Sequence, residues 1–271
     1  MTVVSFMSAN LVARELGYRM PDWGAGDRAT RAAFAPIETF EQKFDELLGI
    51  AHGLGFDVVD IWEAHLDPGN ATGRHLETAV RLLRERGMRV ASLAGWFGST
   101  RERFAAACRV AVAVGAPVLG GGTKVIDTDR DWAVSELERH DLRLGFENHP
   151  EKPAEMLAKI GDGAGGRIGT TVDTGWYGTQ GVDAGAAIER LAPHVFHVHL
   201  KDVRHAGLPH ETCAYGEGVV PLRECVAALR RIGYSGAISI EHEPDEGDPL
   251  PAIGAAHEQL QHWLAEEGLA A

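Results

Sequence analysis

Residues 143–202 read RLGFENHPEKPAEMLAKIGDGAGGRIGTTVDTGWYGTQGVDAGAAIERLAPHVFHVHLKD. Three short strand-like runs stand out: Arg143–Glu147, Arg167–Asp173 and Val195–Lys201. Between them lie helix-length stretches at Pro153–Ile160 and Ala184–Leu191. Strand and helix in alternation mean parallel strands joined by crossover helices. Each run also carries an ionisable group at or near its end: Glu147, Asp173 and His199.

The same unit repeats outward in both directions. Toward the C-terminus, Leu222–Ile232 predicts a helix, Ala237–Glu241 a strand and Pro251–Glu266 a closing helix. Toward the N-terminus, strands are predicted at Thr2–Phe6, Val58–Trp62, Arg89–Leu93 and Pro117–Leu119. Helices are predicted at Thr39–Leu54, Arg74–Arg86, Thr100–Val114 and a short Arg130–Glu138. In the first of these, Phe40, Phe44, Leu47 and Leu48 recur at helical spacing. Eight units predict an α/β fold, a single (β/α)8 TIM barrel over residues 1–271. A doubly wound open sheet is the rival, weakened because no G-x-G-x-x-G follows the first strand. Gly17–Ala35 and Ala206–Val219 show no clear pattern and are expected to be binding loops.

The chain has 271 residues, with 39 acidic side chains against 26 Lys and Arg, a net charge of −13. That charge repels phosphate backbones and anionic lipid surfaces, so neither nucleic acid nor membrane is an expected partner. The three cysteines, Cys108, Cys213 and Cys225, form no C-x-x-C pair. They fit a reducing compartment better than a disulfide scaffold or zinc ribbon. No basic-then-apolar leader and no apolar run of ~18 residues is present, so a cytoplasmic protein is expected.

In such a barrel the C-terminal strand ends carry the chemistry. Strand two ends Asp60-Ile-Trp-Glu-Ala-His65, and strand three ends Ala94-Gly-Trp-Phe97. Strand five ends Glu147-Asn-His149, and strand six ends Asp173-Thr-Gly-Trp176. Strand seven ends His197-Val-His199-Leu-Lys-Asp202, and strand eight ends Glu241-His-Glu243. Glu147, Asp173 and His199 are 26 residues apart, one unit each, and Glu241 follows 42 later, one unit plus a loop. These four are expected to converge. Crowded carboxylates repel unless a cation joins them. A sulfur-free Glu/Asp/His set suits manganese, iron, cobalt or zinc better than calcium. One divalent ion is therefore the expected cofactor, manganese first, with cobalt, iron, zinc or magnesium as alternatives. Its expected ligands are Glu147, Asp173, His199 and Glu241. His197 shares a face with His199 but lies deeper, where an apolar interior is expected, so His199 is the better ligand.

The motifs Gly-Phe-Glu147-Asn-His149, Val-Asp173-Thr-Gly, His197-Val-His199-Leu-Lys-Asp202, Gly216-Glu-Gly218 and Ile-Ser-Ile-Glu241-His together resemble the xylose-isomerase-like barrel family. That family spans sugar and sugar-phosphate isomerases and epimerases, inosose dehydratases and the endonuclease IV repair enzymes. The resemblance implies one divalent metal on the four residues above. It also implies proton transfer by Glu147 and Glu241 beside a carbonyl, through a metal-stabilised enediolate. Many relatives have Asp-Thr-x-His on strand six, whereas Trp176 holds the His position here. The repair nucleases need that histidine, so its loss argues against DNA repair. His149, two residues past Glu147, becomes a candidate catalytic base. Candidate substrate-binding residues are His65, Trp96, Trp176, Lys201 and His210, with Trp23 and Trp62 as further aromatic candidates. The expected function is a metal-dependent isomerase or epimerase of a keto-sugar or related polyol. The alternative is a lyase using the same enolate chemistry for β-elimination on a 3-keto-sugar. Such a lyase would be an inosose-type dehydratase or the catalytic subunit of a C-glycoside deglycosidase. A non-catalytic sugar-binding barrel is a third reading. The expected partner is a small-molecule carbohydrate. The short fourth unit leaves room for a homo-oligomer or small partner subunit to complete the pocket wall.

Overall fold

The computed structural model describes residues 2–269. Eight parallel strands close into a barrel in chain order, and the eighth returns to pair with the first. They are β1 (Val3–Met7), β2 (Val58–Trp62), β3 (Arg89–Trp96), β4 (Val118–Gly122), β5 (Arg143–Glu147), β6 (Ile168–Asp173), β7 (Val195–Leu200) and β8 (Ala237–Ile240). The closing register sets Val3 opposite Ala237 and Phe6 opposite Ile240.

Period-2 alternation explains why these strands are buried on both faces. On β7, Val198 and Leu200 join the apolar layer under the helices, while His197 and His199 turn inward. The interior is not the apolar one expected from sequence. Buried Asp60 sits at its centre, accepting from Ser5 Oγ (3.0 Å), His197 Nε2 (2.7 Å) and Ser239 Oγ. Those three donors meet on a single buried carboxylate and satisfy it.

Three places differ from the sequence reading. β3 and β4 run on through Gly95 and Gly120–Gly122, because the glycines pair in register (Gly95 with Gly121) instead of ending the strands. Gly121 has φ +149°, and a Cβ there would overlap the Gly95 carbonyl oxygen. The first unpatterned stretch holds a helix, Trp23–Phe34, N-capped by Asp22, whose carboxylate accepts from Ala25 N at 2.8 Å. In the second, Asp202–Val203 and Thr212–Cys213 form a small antiparallel pair. Asp202 organises this excursion. Its two carboxylate oxygens accept the backbone N–H groups of Val203, Gly216, Gly218 and Val220 at 2.9–3.2 Å. No described helix is long and apolar enough to cross a membrane.

Candidate metal centre

The ends of β5, β6, β7 and β8 bring Glu147, Asp173, His199 and Glu241 together. One ligand atom from each lies within 4.8 Å of the others. His199 Nδ1 faces the group, 2.6 Å from Glu147 Oε1 and 3.3 Å from Glu241 Oε2. Lys201 Nζ joins from the same strand, 3.3 Å from both Asp173 Oδ2 and Glu241 Oε2 and 3.1 Å from Glu243 Oε2.

Two asparagines hold the carboxylates in place. Asn148 donates to the Asp173 carbonyl and accepts the Asp173 N–H, both at 2.9 Å. Asn10 donates to the Ile240 carbonyl (3.0 Å) and accepts from His242 N (2.7 Å), bracketing Glu241. Asp173 divides its two oxygens: Oδ1 caps the helix Thr174–Thr179 through Trp176 N at 2.9 Å, and Oδ2 faces the cluster. Thr174 Oγ1 bridges the Lys201 carbonyl and N–H, fixing β7 beside β6.

The electrostatics are those of a site with too few cations. Burial pushes the Asp173 carboxyl up to about 6 despite Lys201, and pushes Glu243 up to about 7. Burial also raises Glu241, but Lys201 and His199 outweigh it and hold that carboxyl well below the usual range. Burial disfavours a charged His199, yet the Glu241 and Glu147 carboxylates hold its pKa well above the ordinary value. Asp173 Oδ2 and Glu241 Oε2 are buried and make no hydrogen bond. Buried carboxylate oxygens met only by ion-pair contacts of 3.3 Å from Lys201 and His199, in a set of three carboxylates and one imidazole, fit a divalent transition ion. His199 also belongs to a second convergent group with Asp60 and His197. There Asp60 is already saturated by three donors, and neither it nor His197 lines the cavity. Of the two groups, the Glu147 group is the one that lines the cavity.

This cluster floors a cavity of about 820 Å³. Trp96 and Trp176 line it, as do Trp23 and Trp62, whose rings meet edge-to-face at 5.0 Å. His149 is half exposed at the rim, its Nε2 3.6 Å from Glu147 Oε2. His210 stacks on Trp176, with ring centroids 4.1 Å apart. Thr179 Oγ1 holds its Nδ1 at 2.8 Å, while its Nε2 is buried without a partner. His65 is elsewhere. It is buried between Phe34 and Trp62, bonded to Ser8 Oγ, and does not line the cavity. Its expected substrate contact is thus corrected to a packing role. Sequence reading missed Asn10, Asn148 and Glu243. It also missed Glu63, which is buried in the cavity wall between Arg31 (2.7 Å) and Arg103 (3.0 Å). The only available signal was position: each lies at or just past a strand end, except Asn10, which sits in the turn after β1.

Comparison with known proteins follows the same lines. A family model described as xylose isomerase-like TIM barrel matches residues 48–266. The rhizopine catabolism protein MocC of Rhizobium meliloti is 29% identical over 131 residues, 42% of this chain. The match spans 40% of MocC, and the chain covers two fifths of the curated relatives it matches. Among solved structures, the IOLI protein with a binding zinc atom superposes with TM-score 0.71 at 14% identity, covering 98% of this chain and 99% of that one. An L-ribulose 3-epimerase superposes with TM-score 0.70 at 14% identity, covering 98% and 96%.

Proposed function

Because the chain belongs to the xylose isomerase-like TIM barrel family, we propose that it is a metal-dependent isomerase or epimerase of a keto-sugar or related polyol. The observation that carries this reading is the convergence of Glu147, Asp173, His199 and Glu241 on the floor of an aromatic-walled cavity. These residues would hold one divalent ion, which when bound would supply Lewis-acid polarisation of the substrate carbonyl. Glu241, held ionised by Lys201 and His199, takes the proton from the carbon beside the carbonyl. Glu147, charged with a solvent proton by way of His149 beside it, delivers that proton to the opposite face, and Glu241 releases the one it took to solvent. Lys201 limits the repulsion among the carboxylates and keeps them in register. Trp96 and Trp176 supply apolar faces for the sugar ring. An L-ribulose 3-epimerase and a zinc-bound barrel of the same fold are in keeping with this chemistry.

One observation favours a second outcome of the same proton abstraction. The unpartnered His210 Nε2 at the cavity wall offers a hydrogen-bond partner for a departing hydroxyl, which would give dehydration instead. Incubation of the metal-loaded protein with ketoses and inososes in deuterated water tests both. Exchange at the carbon beside the carbonyl is expected. Exchange with loss of water assigns the lyase. Absence of exchange with every substrate refutes the proposal.

A further inference from the structure

The cavity wall carries a charge pattern that bears on what it can bind. Eight carboxylates line it against three side-chain cations, Arg31, Lys159 and Lys201, and the imidazoles of His149, His199 and His210. None of those cations is free. Arg31 directs Nε to both Asp27 oxygens at 3.0 Å, and its other two nitrogens to Glu63 (2.7 Å) and Asp67 (3.1 Å). Lys159 pairs with Glu151 at 2.9 Å and covers the Phe146 ring at 4.7 Å. Lys201 is shared among three carboxylates. The helix starting at Thr174 is capped by Asp173, and the one starting at Trp23 by Asp22. A divalent ion on the Glu147 group still leaves the wall negative. Trp96 and Trp23, 49% and 43% exposed, add open aromatic faces at the mouth, which attract cations.

We propose that this cavity selects its substrate by charge: it takes a polyol free of phosphate and carboxylate groups, and binds one bearing an ammonium substituent more tightly still. The inference rests on the cavity being the substrate site and deepens that reading. A phosphate would enter a carboxylate-rich pocket in which Arg31, Lys159 and Lys201 are already paired. An ammonium would meet carboxylates and tryptophan faces instead.

The test uses the metal-loaded protein and three matched ligands: a ketose, its terminal phosphate ester and its amino-deoxy analogue. Calorimetric titration is expected to rank the amine about 10-fold tighter than the ketose, and the ester at least ~100-fold weaker. Inorganic phosphate is expected not to displace the ketose. An ester that binds as tightly as the ketose overturns the proposal, even if deuterium exchange succeeds. If none of the three binds, the reading of the reaction falls and the charge proposal is judged without ligand. Quenching of tryptophan fluorescence, each ion scaled to its quenching of free N-acetyltryptophanamide, should then be stronger for caesium than for iodide, with the contrast reduced in Trp96→Phe and at high salt. Equal quenching, or stronger quenching by iodide, overturns it.

Discussion

Acid should unfold this protein partly through one buried histidine, and His65→Gln should remove that component. His65 packs between Phe34 and Trp62, with ring centroids 4.6 and 5.4 Å away. Ser8 Oγ accepts the Trp62 N–H at 2.7 Å and shares a hydrogen bond with His65 Nδ1 at 3.0 Å. Burial, reinforced by Arg14 and Arg31, lowers its pKa from 6.5 to about 3. Between those values the unfolded chain holds a proton that the folded chain does not. The neutral ring's contribution is therefore complete above pH 6.5 and is lost progressively as pH falls toward 3. At pH 5 the loss is about 2 kcal/mol, one and a half pH intervals at ~1.4 kcal/mol each. Urea unfolding of wild type and His65→Gln at pH 7.5 and pH 5 reads it. The variant starts about 1–2 kcal/mol less stable through lost packing. The gap should then close by about 2 kcal/mol at pH 5. A gap that stays constant across that range refutes the reasoning.

The asparagine clamp gives a second expectation. Asn148→Ala removes both bonds to the Asp173 backbone, and should weaken metal binding ~10- to 100-fold in a competitive chelator titration. Gly218→Ala would drive a Cβ into the Val203 carbonyl and the Asp202 carboxylate, so the 203–220 segment should lose hydrogen-exchange protection while the barrel strands keep theirs. Trp176→Ala should cut substrate affinity about 10-fold, by removing the ring on which His210 stacks, with metal stoichiometry unchanged in elemental analysis.

Much of the barrel was legible in the sequence because its elements obey strong local rules. Pro153–Ile160 and Ala184–Leu191 have the bounds read from the apolar spacing. So do the strands Val58–Trp62 and Arg143–Glu147. The Trp23–Phe34 helix was not legible because it buries only Gly26, Thr30 and Phe34, a stripe with too little apolar character to register. Gly26 is there for space: a Cβ would lie 2.7 Å from Val12 Cγ2 and 2.8 Å from its carbonyl oxygen. The convergence of the four strand ends could be anticipated, since spacing by whole strand–helix units forces neighbouring strand ends onto one rim. The clamps could not, because Asn10 acts on β8 from more than 200 residues away in sequence. Nor could the polar barrel interior, where Asp60 holds together side chains from β1, β7 and β8. His65 stood at a plausible strand end, but the turn after β2 directs it into packing, which sequence spacing does not encode.

The central claim is that Glu147, Asp173, His199 and Glu241 form one divalent-metal site. Equilibrium dialysis of chelator-stripped protein against manganese, followed by elemental analysis, tests it most directly. The account predicts one ion per chain in wild type, a loss of at least ~100-fold in affinity in His199→Ala and Glu241→Gln, and wild-type binding in His65→Gln. Stoichiometric binding that survives both ligand substitutions, or no binding in correctly folded wild type, would contradict it.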